Sequence, residues 1–122
     1  MKTVLTGGKF NRIHPGHLWL LKKAKEFGKL IVVLANDAHN QRAYAISARA
    51  RKKNMEALGI ADKVVVGDKK SFVKVVKKFH PAIIVLGYDQ KIPDKETEKY
   101  IATQKIKIMK FRKHGNYGTR NL

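Results

Sequence analysis

The sequence predicts an α/β fold: one domain on a five-stranded, mainly parallel sheet with helices on both faces. Three observations carry that reading. Short β-branched runs alternate with longer amphipathic segments, as strand, helix, strand units require. The runs are apolar at successive positions rather than at every second one, which suits strands covered on both sides. A length of 122 residues allows one core and no second.

Taken in order, Val4-Leu5-Thr6 is the first strand, Leu30 to Ala35 the second, Val64-Val65-Val66 the third, Ile83 to Leu86 the fourth and Ile106 to Met109 the fifth. His17 to Phe27 is the first helix, turning Leu18, Trp19 and Leu21 to the core and stopping at Gly28. Ser47 caps a second helix that runs to Leu58 and ends at Gly59, because a serine oxygen satisfies open amides and a glycine tolerates the reversal. Ser71 caps a third through Phe79, halted by His80-Pro81. The last helix, Asp94 to Gln104, follows Pro93. No repeat, low-complexity tract or domain boundary interrupts residues 1–122. A mobile tail is expected from about residue 113, where apolar anchors run out.

Composition narrows the function classes. With 43% hydrophobic residues, three prolines and nine glycines, disorder is excluded. The longest apolar run, Leu30 to Ala35, is far below the roughly 20 residues a membrane helix needs, and Met1 to Val4 lead into a strand without signal-peptide flanks. The expectation is a soluble, cytoplasmic protein. The absence of cysteine rules out disulfides, thiolate nucleophiles and Cys-based zinc sites. Lys and Arg number 27 against 9 Asp and Glu, a net charge of +18, so polyanions are attracted. The cations spread over Lys22, Lys23 and Lys25, then Arg49, Arg51, Lys52 and Lys53, then Lys74, Lys77 and Lys78. A basic nucleic-acid-binding module is therefore one reading. Against it, no RNA or DNA motif is present and the special residues gather in one loop.

An open α/β sheet binds ligands beyond the carboxyl ends of its strands, which selects Thr6 to Gly16, Ala35 to Ile46, Gly67 to Lys70 and Gly87 to Pro93. The first loop reads Thr6-Gly7-Gly8-Lys9-Phe10-Asn11-Arg12-Ile13-His14-Pro15-Gly16-His17. Its paired glycines let the backbone approach a phosphate, and the helix start adds open amides and partial positive charge. Lys9, Arg12, His14 and His17 crowd the same mouth, making an anion site. Alternatives stay open: the two histidines as a capping pair or half a zinc site, Asp37 as a loop cap or a nucleotide contact, Asp68 as a turn residue.

Gly8-x-Phe10-x-x-x-His14-x-Gly16-His17, after the first strand and opening the first helix, resembles the signature of the cytidylyltransferase-like nucleotidyltransferases. Leu34-Ala35-Asn36-Asp37 and Val64 to Asp68 are similar to further family segments. Pro81 to Gln90, with its Gly87-Tyr88-Asp89-Gln90 ending, resembles the archaeal FAD synthetase branch, and the CTP-dependent glycerol-3-phosphate branch is the next most similar. Three positions depart from the pattern. Asn11 replaces the usual Asp, Arg49 stands where this branch commonly has an acid, and the C-terminal family motif is represented only by Tyr117-Gly118-Thr119-Arg120.

The resemblance implies a Rossmann-like domain and transfer of a nucleotidyl group from a nucleoside triphosphate, ATP or CTP, to a phosphorylated small molecule with loss of pyrophosphate. FMN adenylylation is the first expectation and CTP:glycerol-3-phosphate cytidylyl transfer the alternative. A phosphate nucleophile is already anionic, so the chemistry asks for alignment and charge neutralisation. Implied catalytic residues are His14, His17, Lys9 and Arg51. Implied nucleotide contacts are Gly7, Gly8, Phe10, Asn11, Gly16, Asp37, Gly87, Asp89, Thr119 and Arg120. Mg²⁺ would ride mainly on substrate phosphates, and a homodimer is expected.

Overall fold

The computed structural model describes residues 2–41, 44–87 and 90–111, together with the backbone of 119–121. Strand β1 (Thr3–Gly8) leads to helix α1 (Pro15–Lys25) and β2 (Lys29–Leu34), then a 3-10 turn (Asp37–His39) and α2 (Ala48–Ala57). There follow β3 (Lys63–Val66), α3 (Val73–Phe79), β4 (Ile83–Leu86), α4 (Lys95–Thr103), β5 (Lys107–Phe111) and β6 (Thr119–Asn121). Among the described residues the sheet order is β3-β2-β1-β4-β5-β6. The first five strands are parallel and β6 runs antiparallel to β5.

The expected five parallel strands are thus present, with a sixth at the edge that the sequence reading assigned to a mobile tail. Phe111 pairs with Thr119, Lys110 with Arg120 and Met109 with Asn121. A three-residue edge strand is held by main-chain pairing, so it leaves no apolar signature. The rest of that tail expectation, residues 113–118 and 122, lies outside the described residues.

Successive residues of the central strands serve opposite faces. Val4, Leu30, Val32, Leu34 and Val85 pack with Leu20, Leu21 and Ala24 of α1 and Met55 of α2. Leu5, Ile31, Val33 and Ile84 pack with Val75 and Val76 of α3 and Ile101 of α4. This is why the strands read as unbroken apolar runs. Trp19 sits against the first cluster, edge-on to Phe111 with ring centroids 5.2 Å apart, a packing role.

The ends of the elements follow local chemistry. Ser47 Oγ accepts from the Ala50 amide and Asp94 Oδ1 from the Thr97 amide, as N-caps do. Ser71 lies one residue before the N-cap of α3, and its hydroxyl accepts from the Val73 amide. His80 closes α3 with φ +45°, just before Pro81. After α1 the chain doubles back at Gly28, where φ is +152° and a Cβ would lie 2.2 Å from the Lys2 carbonyl oxygen. Only glycine fits there.

Candidate functional site

The order of the strands reverses between β1 and β4. One crossover from β1 leads outward to β2, and β4 returns on the other side. Loops leaving the carboxyl ends of these strands diverge and open a crevice. A cleft of about 1310 Å³ lies there, lined by Gly7, Gly8, Lys9, Phe10, Asn11, Arg12, His14 and His17 from the first loop. Its other walls come from Val33 and Ala35 at the end of β2, Tyr44 and Ile46, Asp68 and Lys70 to Phe72, and Gln90 to Asp94.

The histidines are organised by helix α1. The His14 amide donates to His17 Nδ1 (3.3 Å) and the His17 amide donates to His14 Nδ1 (3.4 Å), a reciprocal capping box. The rings stack with centroids 3.6 Å apart. Because both Nδ1 atoms accept, each neutral ring carries its proton on Nε2 and is a donor there. Capping and ligand binding are therefore compatible: one nitrogen of each ring fixes the helix start and the other is a hydrogen-bond donor. Gly16 keeps this possible, since a Cβ would come within 3.1 Å of the His14 ring.

Phe10 is buried, joins the first core cluster and meets the His17 ring edge-on at 5.1 Å. Its φ of +51° puts a bulky residue in the left-handed region, a strained conformation of the kind found at functional loops. Gly8 makes room, as a Cβ would stand 3.0 Å from the Phe10 ring. Lys9 and Arg12 are exposed at the mouth of the cleft.

Two implied residues take other positions. The resemblance implies that Arg51 reaches substrate phosphates, yet its side chain is fully buried behind the cleft wall. Nε donates to the Ile46 carbonyl (2.7 Å), one terminal nitrogen to the Lys9 carbonyl (2.8 Å) and the other to Asp37 Oδ1 (2.9 Å). Three fixed acceptors hold the guanidinium as a clamp between loops. Asp37 takes the loop-cap alternative, its Oδ1 also accepting from the Ala48 amide (2.7 Å) at the start of α2. Asp68 is a turn residue: amides of Lys70 and Ser71 donate to its carboxylate and, with Lys74, hold its pKa below the usual range.

Asn11 faces Asn40. Asn11 Nδ2 donates to Asn40 Oδ1 (2.7 Å), Asn40 Nδ2 donates to Asn11 Oδ1 (2.8 Å), and the Ile46 amide also donates to Asn11 Oδ1 (2.9 Å). Sequence reasoning missed Asn40, which lies 29 residues away in no motif. It also left Gln90 unassigned, although that residue closes the Gly87-Tyr88-Asp89-Gln90 stretch. The paired residues of β1 and β4 end at Thr6 and Val85, where Thr6 Oγ1 donates to the Val85 carbonyl. Beyond that point Gln90 Oε1 accepts from the Gly87 amide and Gln90 Nε2 donates to the Gly7 carbonyl, both at 2.7 Å. A side-chain amide thus spans the crevice where the strands separate. Asp94, at the cleft's edge, is pushed up by burial and pulled down further by Thr97 and the Phe72 amide, leaving it below the ordinary value.

Tyr88, Asp89, residues 112–118 and the side chains of Thr119 and Arg120 lie outside the described residues, so those nucleotide contacts have no geometry here. Among the described residues, no three His, Asp or Glu side chains gather as a metal site.

A family model described as cytidylyltransferase-like matches residues 5–119. The chain is similar to an FAD synthase from Aciduliprofundum boonei, 35% identical, covering 100% of this chain and 88% of that protein. It is also similar to an FAD synthase from Methanosarcina barkeri, 34% identical, covering 84% and 76% respectively. Among solved structures, the lipopolysaccharide core biosynthesis protein from Thermoplasma volcanium superimposes with a TM-score of 0.78 at 32% identity, covering 90% of this chain and 95% of that one.

Proposed function

The chain belongs to the cytidylyltransferase-like family, and on that premise we propose that it is an FMN adenylyltransferase, making FAD from ATP and FMN. The observation that carries the reading is the stacked His14–His17 pair at the start of α1, each ring with its Nδ1 engaged and its Nε2 as donor. In this reading an FMN phosphate oxygen attacks the α-phosphorus of ATP in line, the bond to the bridging oxygen breaks, and pyrophosphate leaves. His14 and His17 donate to phosphate oxygens as negative charge moves onto the leaving group, where preorganised donors have their largest effect. Lys9 and Arg12 at the cleft mouth neutralise the outer phosphates, and Thr119 and Arg120 join them on the strength of the motif.

Two features favour a flavin over a small polyol phosphate as acceptor. The cleft volume of about 1310 Å³ exceeds the 300–1,000 Å³ or so of a single small-ligand pocket, so it suits two sizeable substrates. Its walls include Val33, Phe72, Ile84, Leu86 and Ile92, an apolar surface that a fused aromatic ring would cover and glycerol 3-phosphate would not. Mg²⁺ would be held mainly by the substrate phosphates and would supply charge neutralisation there. The proposed working form is a cytoplasmic homodimer. No described helix is long and apolar enough to cross a membrane. Sedimentation giving only monomer at high micromolar concentration would remove the dimer.

The test is a pyrophosphate-release screen pairing ATP and CTP with FMN, glycerol 3-phosphate and phosphopantetheine. Release is expected with ATP and FMN; release confined to CTP and glycerol 3-phosphate would overturn the acceptor and the base together.

A further inference from the structure

We propose that Asn11 and Asn40 are positioning residues that lock the histidine-bearing loop to the loop after β2 through a reciprocal amide pair, and that the lock works only while each side supplies one N–H donor. The kinetic part of the argument rests on the function proposed above. The pair is built for exchange in both directions: each amide gives one hydrogen bond to the other and takes one, at 2.7 and 2.8 Å, and Asn40 Nδ2 makes a longer donation to the Ile46 carbonyl at 3.4 Å. Asn40 is 4% exposed, so water does not substitute easily for a missing partner. Asn11 Oδ1 additionally receives the Ile46 amide, and Ile46 in turn offers its carbonyl to Arg51, which also holds the Lys9 carbonyl. The loop that carries Lys9, His14 and His17 is thereby fixed against Asn40 and Ile46 of the loop that follows β2.

This accounts for Asn11 where the family motif usually has Asp. A carboxylate accepts but does not donate. Opposite Asn40 Oδ1 it would set two oxygens at the separation now spanned by an N–H···O bond. The identity of residue 11 is therefore tied to the donor capacity of residue 40, and neither is interpretable alone. Other ionisable groups on the described parts of the surrounding elements are Lys9, Arg12 and His14 on the first loop, Asp37, His39 and Tyr44 on the second, and Arg49, Arg51, Lys52, Lys53 and Glu56 on α2, of which Arg51 is the buried one.

The experiment compares kcat and KM over a range of pH for Asn11→Asp, Asn40→Asp and the double variant, each divided by the parental value at the same pH. Each single variant is expected to lose about 10- to 100-fold in kcat at mildly alkaline pH, the effect of one lost donor and one opposed oxygen pair, with KM for ATP little changed. Both should recover as the pH falls through the carboxyl range, because a protonated carboxyl donates again. The double variant should recover at higher pH than either single one, since two facing carboxyls share a proton. Parental kcat for the single variants at alkaline pH, or a loss that acidification does not reverse, would overturn the lock.

Hydrogen exchange gives a readout that needs no substrate. In Asn11→Ala the Ile46 amide should exchange much faster than in the parent, and unchanged protection there would also overturn it. A parent that releases no pyrophosphate from ATP and FMN would instead defeat the proposed function, leaving Ile46 exchange to judge the lock.

Discussion

The two sides of the cleft are held in different ways. After β1 and β2 the loops are cross-tied by Arg51, Asp37 and the Asn11–Asn40 pair. After β4 the amide of Gln90 spans the crevice, and farther along the chain Asp94 accepts from the Phe72 amide. The first side carries the histidines, whose donors must be aimed to a few tenths of an ångström, and it is braced from behind by buried polar groups. The second lies where β1 and β4 part, and one side chain bridges the gap. A cationic residue beside the proposed phosphate site can serve the loops instead of the ligand. Arg51 has the chemistry of a ligand and the geometry of a fastener.

The largest expected effect is on the braced side. Arg51→Ala takes a donor from the Lys9 carbonyl, leaves the Ile46 carbonyl only the longer contact from Asn40 Nδ2 (3.4 Å) and opens a cavity, so it should cost about 4 kcal/mol of stability, read by urea denaturation. A folded variant of near-parental stability, impaired only in triphosphate affinity, would return Arg51 to the role of phosphate ligand. Next, His17→Ala should fold yet lose about 2.7–4 kcal/mol of transition-state stabilisation, seen as a fall in kcat. Parental turnover would strike the residue from the chemistry.

On the lightly tied side, Gln90→Glu should cost about 1–2 kcal/mol. The carboxylate still accepts from the Gly87 amide but has no proton for the Gly7 carbonyl. Comparing its thermal shift with that of Arg51→Ala measures how unequal the two sides are; equal losses would dissolve the distinction. The smallest effect lies away from the cleft. Asp62 accepts from Lys25 and from the Leu30 amide, interactions that lower its pKa from the ordinary 3.8. A depressed carboxyl contributes stability above its unfolded value and loses it as the pH falls through the folded one. Asp62→Asn should therefore lower the melting temperature slightly at neutral pH, by the equivalent of about 0.5–1 kcal/mol, and the gap should close below about pH 4. A gap that persists in acid would assign the effect to packing.

Which features were legible in the sequence follows from their range. The five parallel strands are legible because both of their faces are buried, and the helix stops because glycine at position 28 and proline at 81 act locally. The histidine loop is legible because its glycines, cations and imidazoles adjoin in the chain. The Asn11–Asn40 pair and the span from Gln90 to Gly7 are not, since each joins residues that only the fold brings together, 29 and 83 positions apart. Strand β6 escapes for another reason: main-chain pairing at a sheet edge imposes no pattern of side chains. The burial of Arg51 was hidden by its company, for Arg49, Lys52 and Lys53 beside it are not buried.

The most direct test of the central claim follows the α-phosphate. With purified protein, FMN and ATP labelled at the α-position, the label should appear in FAD in equal amount to the pyrophosphate released, and His17→Ala should slow both together. Release of label as free AMP with no FAD formed, or transfer of label only from α-labelled CTP to glycerol 3-phosphate, would contradict it.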